Sequence, residues 1–409
     1  MDHAKPGKNL ADVQEINRSL VLNTLRENPN CSRSYIARCT GLRQTTITKI
    51  VNDFIDWGIV VETEFLRNAR GRRSIGLRLN SDRYRVICLR LLRTNILAGL
   101  HDISGKEYLS LRESLDVSQG ANAAIDTMIR VIHQLKREAG DAYILGIGLG
   151  LPGPYLKQEG VITVMADFPG WEDHAIQTRL EQEFGPIVFT EHDAYANGLA
   201  EWWFGRQRQS ERVLLSLSME EGLGAGLIVD GKIYYGKQGV AGEIGHISID
   251  YNGIPCPCGS RGCLRNYCSD TAVVRLARTK RKDFPASCLN DIENLQLPQI
   301  IDAALQGDEL AVSLVCDAAT HLGYGLVSVI YMYNPGLIIL SRQFSAAGEL
   351  FLDTVRQVLS DRLPPAISGA VRIAFSSITK DPVLMGIVAL VTDSVFMSPS
   401  GLVEMKQQG

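Results

Sequence analysis

The order of apolar and polar positions near the start of the chain predicts three short helices. Residues 17–28 repeat apolar side chains at helical spacing and stop at Pro29, which cannot continue a helix. Ser32 is placed as the N-cap of a second helix, which Gly41 ends. The tight turn after it leads into a third helix, as in a helix-turn-helix unit.

The third helix is predicted to run from near Arg43 to Gly58, with an apolar face opposite a polar face. In a helix-turn-helix unit the second helix lies in the major groove of DNA, so this polar face is the candidate recognition surface. The side chains that we expect to contact DNA from it are Arg43, Gln44, Thr45, Thr48, Lys49 and Asn52.

Two strand-like runs follow, separated by the sequence RNARGRR at residues 67–73. This arrangement predicts a β-hairpin wing whose guanidinium groups reach phosphates or the minor groove. We expect Arg70, Arg72 and Arg73 to be its DNA contacts. The alternative is a three-helix domain with a solvated basic loop, and the arginine-rich hairpin directly after the helices favours the wing.

Two later stretches, residues 85–111 and 212–236, share one pattern of strand, turn, strand, turn and strand. The sequence Asp230-Gly231-Lys232 in the second stretch is typical of a tight β-hairpin turn. A repeated three-strand unit indicates a duplicated, two-lobed α/β body. The cleft between such lobes is the expected ligand site.

We therefore expect a chain of three parts. A winged helix-turn-helix DNA-binding domain covers residues 1–82. The first lobe of the body covers residues 83–194 and is completed by about 381–409. The second lobe covers residues 195–380 and carries a metal site and an oligomerisation surface.

The charge distribution separates the head from the body. Residues 1–80 hold 13 Lys and Arg against 8 Asp and Glu, and the rest of the chain holds 29 against 37. A basic head on an acidic body indicates that only the head meets nucleic acid.

The longest uncharged apolar stretch, residues 322–340, is interrupted by Asn334, Pro335 and Gly336. This pattern favours a buried helix followed by a buried strand over a membrane span. The sequence does not open on a charged segment and an apolar run, so we expect a cytoplasmic protein. Cytoplasmic thiols stay reduced, which favours metal binding over disulfides for the cysteines clustered at 256–268.

The body resembles the ROK family of repressors and sugar kinases. The matching segments are GIGLGLPGP, DFPGW, EHDAYANGLAE, AGEIGH, CPCGSRGCL and NPGLIIL. The head is similar to the DNA-binding part of the Mlc- and NagC-type repressors in this family. The resemblance covers nearly the whole chain and implies an actin-like body with two lobes of the ribonuclease-H type.

The resemblance also implies one bound zinc ion. The family's ligands correspond to His246, Cys256, Cys258 and Cys263. One imidazole and three thiolates make a closed tetrahedral site, which is structural rather than catalytic. Cys268 is expected to pack in the core and not to bind the ion. The alternative to a zinc site is that the four thiols bind no metal.

Two loops that bind ATP phosphates in the family's kinases are altered here. In the first, Arg90 stands where the kinases have an acidic residue, and Leu92 stands where they have a glycine. In the second, Glu220 and Glu221 would place carboxylates against phosphate. Bulk and negative charge both oppose nucleotide binding, so we expect no enzyme activity.

The family's sugar site is partly kept. Asp193, a general base in the kinases, is preceded by His192 instead of asparagine, and the family's last glutamate is Arg265 here. Either Arg265 binds an anionic sugar derivative, or it pairs with Asp193 or Glu243 and disables the site. The candidate effector-binding residues are Asp167, Gly170, His192, Asp193, Glu243, His246 and Arg265.

Together these features predict a regulator of carbohydrate uptake and metabolism genes, acting as a repressor. Its partners would be double-stranded DNA with a pseudo-palindromic operator, a sugar or sugar-phosphate effector, and a second copy in a homodimer or dimer of dimers. Two alternatives stay open. One is an active sugar kinase with a DNA-binding head, and the other is a repressor controlled by a sugar-transport protein.

Overall fold

The computed structural model describes residues 9–67, 73–116, 119–153, 155–156, 161–162, 176–207, 211–220 and 222–401. The α-helices in this part of the chain are α1 (Leu10–Glu27), α2 (Arg33–Thr40), α3 (Gln44–Asp56), α4 (Gly120–Glu138), α5 (Ile176–Phe184), α6 (Asp193–Phe204), α7 (Arg265–Cys268), α8 (Asp270–Lys280), α9 (Leu297–Leu305), α10 (Glu309–Tyr333), α11 (Glu349–Arg362), α12 (Pro365–Ser368) and α13 (Pro382–Met397). The strands are β1 (Val60–Arg67), β2 (Arg73–Leu79), β3 (Tyr84–Leu91), β4 (Asn95–His101), β5 (Glu107–Ser114), β6 (Tyr143–Leu151), β7 (Tyr155–Leu156), β8 (Val161–Ile162), β9 (Val188–His192), β10 (Val213–Ser218), β11 (Gly224–Val229), β12 (Lys232–Ile233), β13 (Leu337–Leu340) and β14 (Arg372–Phe375).

The head consists of α1, α2 and α3 followed by the hairpin of β1 and β2. Helix α1 begins seven residues before the predicted start, because Asn9 and Asp12 form a capping box there. Ser32 caps α2 as predicted and accepts a hydrogen bond from the Tyr35 amide at 3.3 Å. Gly41 ends α2 with a φ of +70°, a conformation that glycine adopts without strain.

The predicted wing is confirmed as an antiparallel hairpin, in which Val60 of β1 pairs with Leu79 of β2. Cys31 pairs with Leu77 on the other side of β2 and extends this small sheet toward the helices. The helices and the hairpin share one core, to which Ile36, Phe54 and Leu77 contribute fully buried side chains. The turn of the wing, residues 68–72, lies outside the described residues.

The body contains two five-stranded sheets with the same topology. The first has the order β5-β4-β3-β6-β9, and the second has the order β12-β11-β10-β13-β14. In each sheet the three strands that come first in the chain, β3 to β5 or β10 to β12, form an antiparallel meander. The other two strands run parallel to the first strand of that meander, which is β3 or β10. We call the two halves built on these sheets the first lobe and the second lobe. The predicted duplication, with lobes of the ribonuclease-H type, is thereby confirmed.

Two helices, α6 and α13, lie between the two sheets. Helix α6 packs on β10 and β11 of the second lobe, whereas α13 packs on β3 and β6 of the first lobe. The two helices also pack closely on each other. At their crossing an added Cβ on Gly386 of α13 would lie 1.7 Å from the carbonyl oxygen of Ala196 on α6. Glycine is therefore required for this approach.

The head is packed directly on the first lobe. One continuous core includes Leu22 and Phe54 of the head, Val86 of β3, and Val388 of α13. At the edge of this contact the guanidinium carbon of Arg26 on α1 lies 4.0 Å from the ring centre of Trp203 near the end of α6. Both interlobe helices consequently run from the cleft, where they begin, toward the head, where they end.

Helix α10 explains the long uncharged stretch of the sequence. Among the described residues it is the one helix long and apolar enough to cross a membrane, yet 56% of its most apolar window is buried inside the protein. Asn334 ends it with a φ of +44°, and the buried strand β13 follows. The predicted succession of buried helix and buried strand is confirmed.

Replacing Gly386 by alanine tests the helix crossing. The methyl group would collide with a backbone carbonyl that cannot move without shifting α6, so we expect a loss of about 1–3 kcal/mol or more in stability. Scanning calorimetry would show this as a lower unfolding temperature. Gly401→Ala is the matched control, because an added Cβ there meets open space and should change stability by less than about 0.5 kcal/mol. An unchanged unfolding temperature for Gly386→Ala would contradict the packing described.

Candidate DNA-binding surface, metal centre and interlobe cleft

The polar face of α3 is exposed as the sequence predicts. Ile47, Ile50, Val51 and Phe54 face the core of the head. The opposite side forms a shallow concave surface, lined by Gln44, Thr45, Thr48, Lys49, Asn52 and Asp53. Arg43 is also exposed and occupies the N-cap position of α3. Five of the six predicted recognition side chains therefore line one accessible surface, and Arg43 is exposed at the start of the same helix.

Contacts within the head fix part of this surface. Arg33 of α2 donates to the Asn52 side chain at 3.3 Å and to Glu62 of the wing at 3.0 Å. This pair of contacts ties α2, α3 and β1 together beside the recognition face. Of the predicted wing contacts, Arg70 and Arg72 lie outside the described residues, as does the side chain of Arg73 at the start of β2.

The predicted metal ligands converge in the second lobe. One donor atom from each of His246, Cys256, Cys258 and Cys263 lies within 4.8 Å of all the others. The Sγ atoms of Cys258 and Cys263 are 3.7 Å apart, and Cys256 Sγ lies 3.8 Å from His246 Nδ1. A tetrahedral zinc site with bonds of about 2.3 Å to sulfur and about 2.0 Å to nitrogen separates its ligands by about 3.5–3.8 Å. The four side chains fit such an ion.

The chain folds around this cluster through glycine. Gly262 has a φ of +65°, and an added Cβ would lie 1.7 Å from the carbonyl oxygen of Asp250. Gly259 has a φ of +91° in the turn between the second and third cysteines. Cys268 is fully buried in the second-lobe core, as expected, and burial raises the pKa of its thiol.

The metal cluster adjoins the predicted effector residues. His246 ends a short 3₁₀ helix, and Glu243 directly precedes this helix. On the other side of the cluster, Arg265 begins α7 two residues after Cys263. A bound ion would therefore hold Glu243 and Arg265 at fixed positions at the side of the cleft.

The acidic centre of the cleft is Asp193, the first residue of α6. Its Oδ1 lies 3.3 Å from His192 Nε2, which is also 3.9 Å from Glu243 Oε1. His192 is buried against Gly153, where an added Cβ would lie 2.0 Å from its ring nitrogen. The structure thus brings His192, Asp193 and Glu243 together, as the sequence predicts.

The charges in the cleft act on one another. Burial raises the pKa of Glu243, the nearby His192 and Arg265 lower it, and the carboxylate of Asp193 raises it. The guanidinium of Arg265 also reaches toward the second altered loop, about 3.7 Å from where a Cβ on Gly222 would lie. Asp167 and Gly170, the other predicted effector residues, lie outside the described residues.

An ion-pair cluster joins the lobes at the altered phosphate loops. Arg90, with only 4% of its side chain exposed, donates to Glu220 at 2.5 Å and to Asp381 at 2.7 Å. Its Nη2 also lies 3.9 Å from Asp193 Oδ2. We call Arg90, Asp193, Glu220 and Asp381 the interlobe cluster. Sequence analysis identified Arg90 and Glu220 as obstacles to ATP, but it did not identify their pairing or Asp381.

A second buried contact was also missed. Glu191, fully buried at the end of β9, accepts a hydrogen bond from the hydroxyl of Tyr235 at 2.6 Å. The Tyr195 hydroxyl donates to carbonyl oxygens of Gly239 and Ala241 in the segment after β12. These contacts join the first lobe and α6 to the segment that leads to Glu243. The opposite charges of Arg90 and Glu220 in the two altered loops could have suggested that they pair. No feature of the sequence indicates the contacts of Tyr195 and Tyr235.

Comparisons with known proteins agree with this architecture. A sequence model described as the ROK family matches residues 86–394, and one described as the MarR family matches residues 15–74. The xylose repressor of Caldicellulosiruptor bescii is 28% identical over 394 residues, covering 95% of this chain and 98% of that protein. The glucokinase of Thermotoga maritima is 27% identical over 306 residues, covering 74% of this chain and 95% of that enzyme.

Among solved structures, a ROK family transcriptional regulator described as a homolog of Escherichia coli Mlc superposes with a TM-score of 0.83. It is 25% identical, and the match covers 96% of this chain and all of that chain. The similarity to regulators therefore includes the head as well as the body. Because the ROK match spans well over half of its residues, the protein belongs to the ROK family and joins a MarR-like helix-turn-helix head to an actin-like ROK body.

Proposed function

We propose that the protein is a sequence-specific DNA-binding repressor of carbohydrate uptake and metabolism genes. The observation that carries this proposal is the exposed polar face of α3 on a winged head that is built into a ROK body. Relatives that share both parts include proteins named as repressors, among them the xylose repressor of C. bescii. The protein works in the cytoplasm, with residues 1–82 as its DNA-binding domain and the two lobes as its sensor.

The operator is a pseudo-palindrome bound by a homodimer or a dimer of dimers. A single head reads one half-site, and two heads related by a two-fold axis read an inverted repeat. The effector acts on the distance between the two recognition helices. Helices α6 and α13 support this route, since each begins in the cleft at an acidic residue and ends beside the head.

The effector is a sugar or sugar derivative that binds at Asp193, His192 and Glu243. Carboxylates beside a buried imidazole accept hydrogen bonds from sugar hydroxyls. The positive charge of Arg265 at the same side of the cleft favours a phosphorylated or acidic sugar. Calorimetry with neutral sugars and their phosphates separates the two forms, because binding of the neutral sugars alone would exclude a role of Arg265 in holding an anion.

A sugar-transport protein as the controlling partner is the alternative to a small effector. Binding of such a protein to the body would bias the same lobe arrangement without filling the cleft. Failure of all sugars and sugar phosphates to alter operator binding would favour this alternative.

The His246 and cysteine cluster binds one structural zinc ion per chain. With four protein ligands the ion has no position for a reactive water. The role of His246, Cys256, Cys258 and Cys263 is to anchor the segments that carry Glu243 and Arg265.

Selection of bound duplexes from a random DNA library is the direct test of the proposed function. It should be run at physiological salt, because low salt strengthens non-specific phosphate contacts. We expect an enriched inverted repeat whose half-sites lie one DNA turn, or a multiple of it, apart. No enrichment from folded, metal-loaded protein, with and without sugar phosphates, would overturn the proposal.

Lys49→Ala should weaken binding to the selected operator and to unrelated DNA by similar factors. A lysine on this face contacts phosphate, so the slope of log affinity against log salt should fall by about one. Gln44→Ala should instead cost about 1–3 kcal/mol on the operator alone. Lys280→Ala on the body is the control and should change neither. Equal DNA binding by Lys49→Ala and the unchanged protein would show that this face of α3 does not contact DNA.

Cys258→Ser should lower the zinc content, measured by mass spectrometry of the purified protein, from one ion per chain to well below one. The unfolding temperature should fall as well, because the binding energy of the metal adds to the stability of the folded state. Cys288→Ser replaces another exposed cysteine, one that lies outside the cluster, and should retain the ion. Full zinc occupancy in Cys258→Ser would contradict the ligand assignment.

A coupled assay of ADP release tests the kinase alternative. Over hexoses and amino sugars we expect no turnover above background, because Arg90 pairs with Glu220 and Asp381 at the loops that resemble the kinases' phosphate loops. ATP-dependent turnover that Asp193→Asn abolishes would establish a kinase. The glucokinase relative serves as the positive control for the assay.

A further inference from the structure

The two loops that would face a nucleotide's phosphates are joined to each other in this protein. Arg90 lies near the end of β3 in the first lobe, and Glu220 lies two residues after β10 in the second. Their side chains meet at 2.5 Å. The contact is thus a charge-assisted bond that crosses from one lobe to the other.

Each partner of this bond is held in place from its own side. Asp381, the N-cap of α13, accepts from Arg90 Nη1 at 2.7 Å and also accepts from the amides of Val383 and Leu384. Gln343 of the second lobe donates to the other oxygen of Glu220 at 2.7 Å. The contacts form a chain from Asp381 to Arg90 to Glu220 to Gln343. The Arg90–Glu220 ion pair is the contact in this chain that crosses the cleft.

Burial of Arg90 makes the Arg90–Glu220 ion pair costly to break. Arg90 exposes 4% of its side chain, and its charge is offset by carboxylates at 2.5, 2.7 and 3.9 Å. An unpaired guanidinium at such a site would be costly, since removing one partner of a buried ion pair leaves a charge away from water. Opening the cleft would have to separate Arg90 from Glu220 and rehydrate both groups.

We propose that Arg90 replaces bound nucleotide as the bridge between the lobes, so that the cleft is held closed by the protein's own side chains. A nucleotide would bring phosphates and a metal ion between the two loops. Here a guanidinium fixed to one loop reaches the carboxylate of the other. The lobe arrangement is thereby uncoupled from ATP and left to the effector.

The Arg90–Glu220 bridge should also affect effector binding. This second inference rests on the proposed function. Asp193 is both the acidic centre of the effector site and a member of the interlobe cluster, 3.9 Å from Arg90. A ligand that needs the closed lobes binds in proportion to the closed fraction. Weakening the bridge therefore lowers the apparent affinity for the effector.

The test removes the carboxylate of Glu220. This side chain is 24% exposed, so Glu220→Ala leaves no large cavity, and Glu220→Gln keeps its shape without its charge. The readout is hydrogen exchange in the full-length protein without sugar or DNA. Peptides that contain Leu92, whose amide bonds to Asn95 beside the bridge, and Met219, whose amide bonds to Ser341, report on the two loops. We expect at least about tenfold faster exchange in Glu220→Ala and a smaller increase in Glu220→Gln.

Asp230→Asn is the matched control. It also replaces a carboxylate bonded to an arginine in the second lobe, but the Arg212–Asp230 pair is exposed and lies within one lobe. Exchange at Leu92 and Met219 should be unchanged in this variant. Small-angle X-ray scattering should show a larger radius of gyration for Glu220→Ala alone. Circular dichroism confirms that each variant is folded.

Unchanged exchange and an unchanged radius in folded Glu220→Ala would overturn the bridge. These readouts need neither sugar nor operator, so the result does not depend on the proposed function. Calorimetry with D-glucose, D-xylose and glucose 6-phosphate then tests the regulatory part. If one of them binds the unchanged protein, we expect at least about threefold weaker binding to Glu220→Ala, and equal affinity would refute the coupling. If none of the three binds, none of them is the effector, and the exchange result still decides whether the bridge exists.

Discussion

The close crossing of α6 and α13 is the constraint on which the rest of the molecule depends. Each helix packs on the sheet of a different lobe, and the two approach so closely that Gly386 admits no Cβ beside the Ala196 carbonyl. The crossing therefore sets the relative position of the two sheets. It also places Asp193 and Asp381, the first residue of one helix and the N-cap of the other, on the same guanidinium, that of Arg90. At the far ends of the same helices, Trp203 and the turn at Ser400 contact α1 of the head.

Negative charge gathered at these helix starts would repel itself without a counter-charge. In a phosphate-transferring enzyme, metal ions meet that need and bind the nucleotide at the same time. Arg90 meets it here with a covalently attached cation that cannot leave. One arginine on β3 thus pairs with carboxylates from both lobes. Under the proposed function, a body related to sugar kinases would in this way sense a ligand without transforming it.

The cysteine and histidine cluster of the second lobe lies beside residues of the same cleft. Its four ligand side chains enclose a loop that has little secondary structure, and its flanks are Glu243 and Arg265. Side chains on such a loop would sample many positions without a cross-link. A metal ion held by these four side chains would restrict the loop as a packed core does, over a segment too short and polar to form such a core.

The sequence by itself determined much of this protein. Periodicity and capping residues located α2, α3 and the wing, and the repeated meanders revealed the two lobes, because these signals are local or repeat along the chain. The grouping of the four candidate metal ligands, and that of His192, Asp193 and Glu243, could be predicted from motifs in short segments. The start of α1 was missed because its capping box, Asn9 and Asp12, lies before the apolar pattern becomes regular. Only the tertiary structure decided that Arg90 bonds to Glu220, 130 residues away, and to Asp381, 291 residues away. Such pairs are selected by the packing of two sheets around α6 and α13, and charge alone, without that geometry, does not specify which carboxylate an arginine meets.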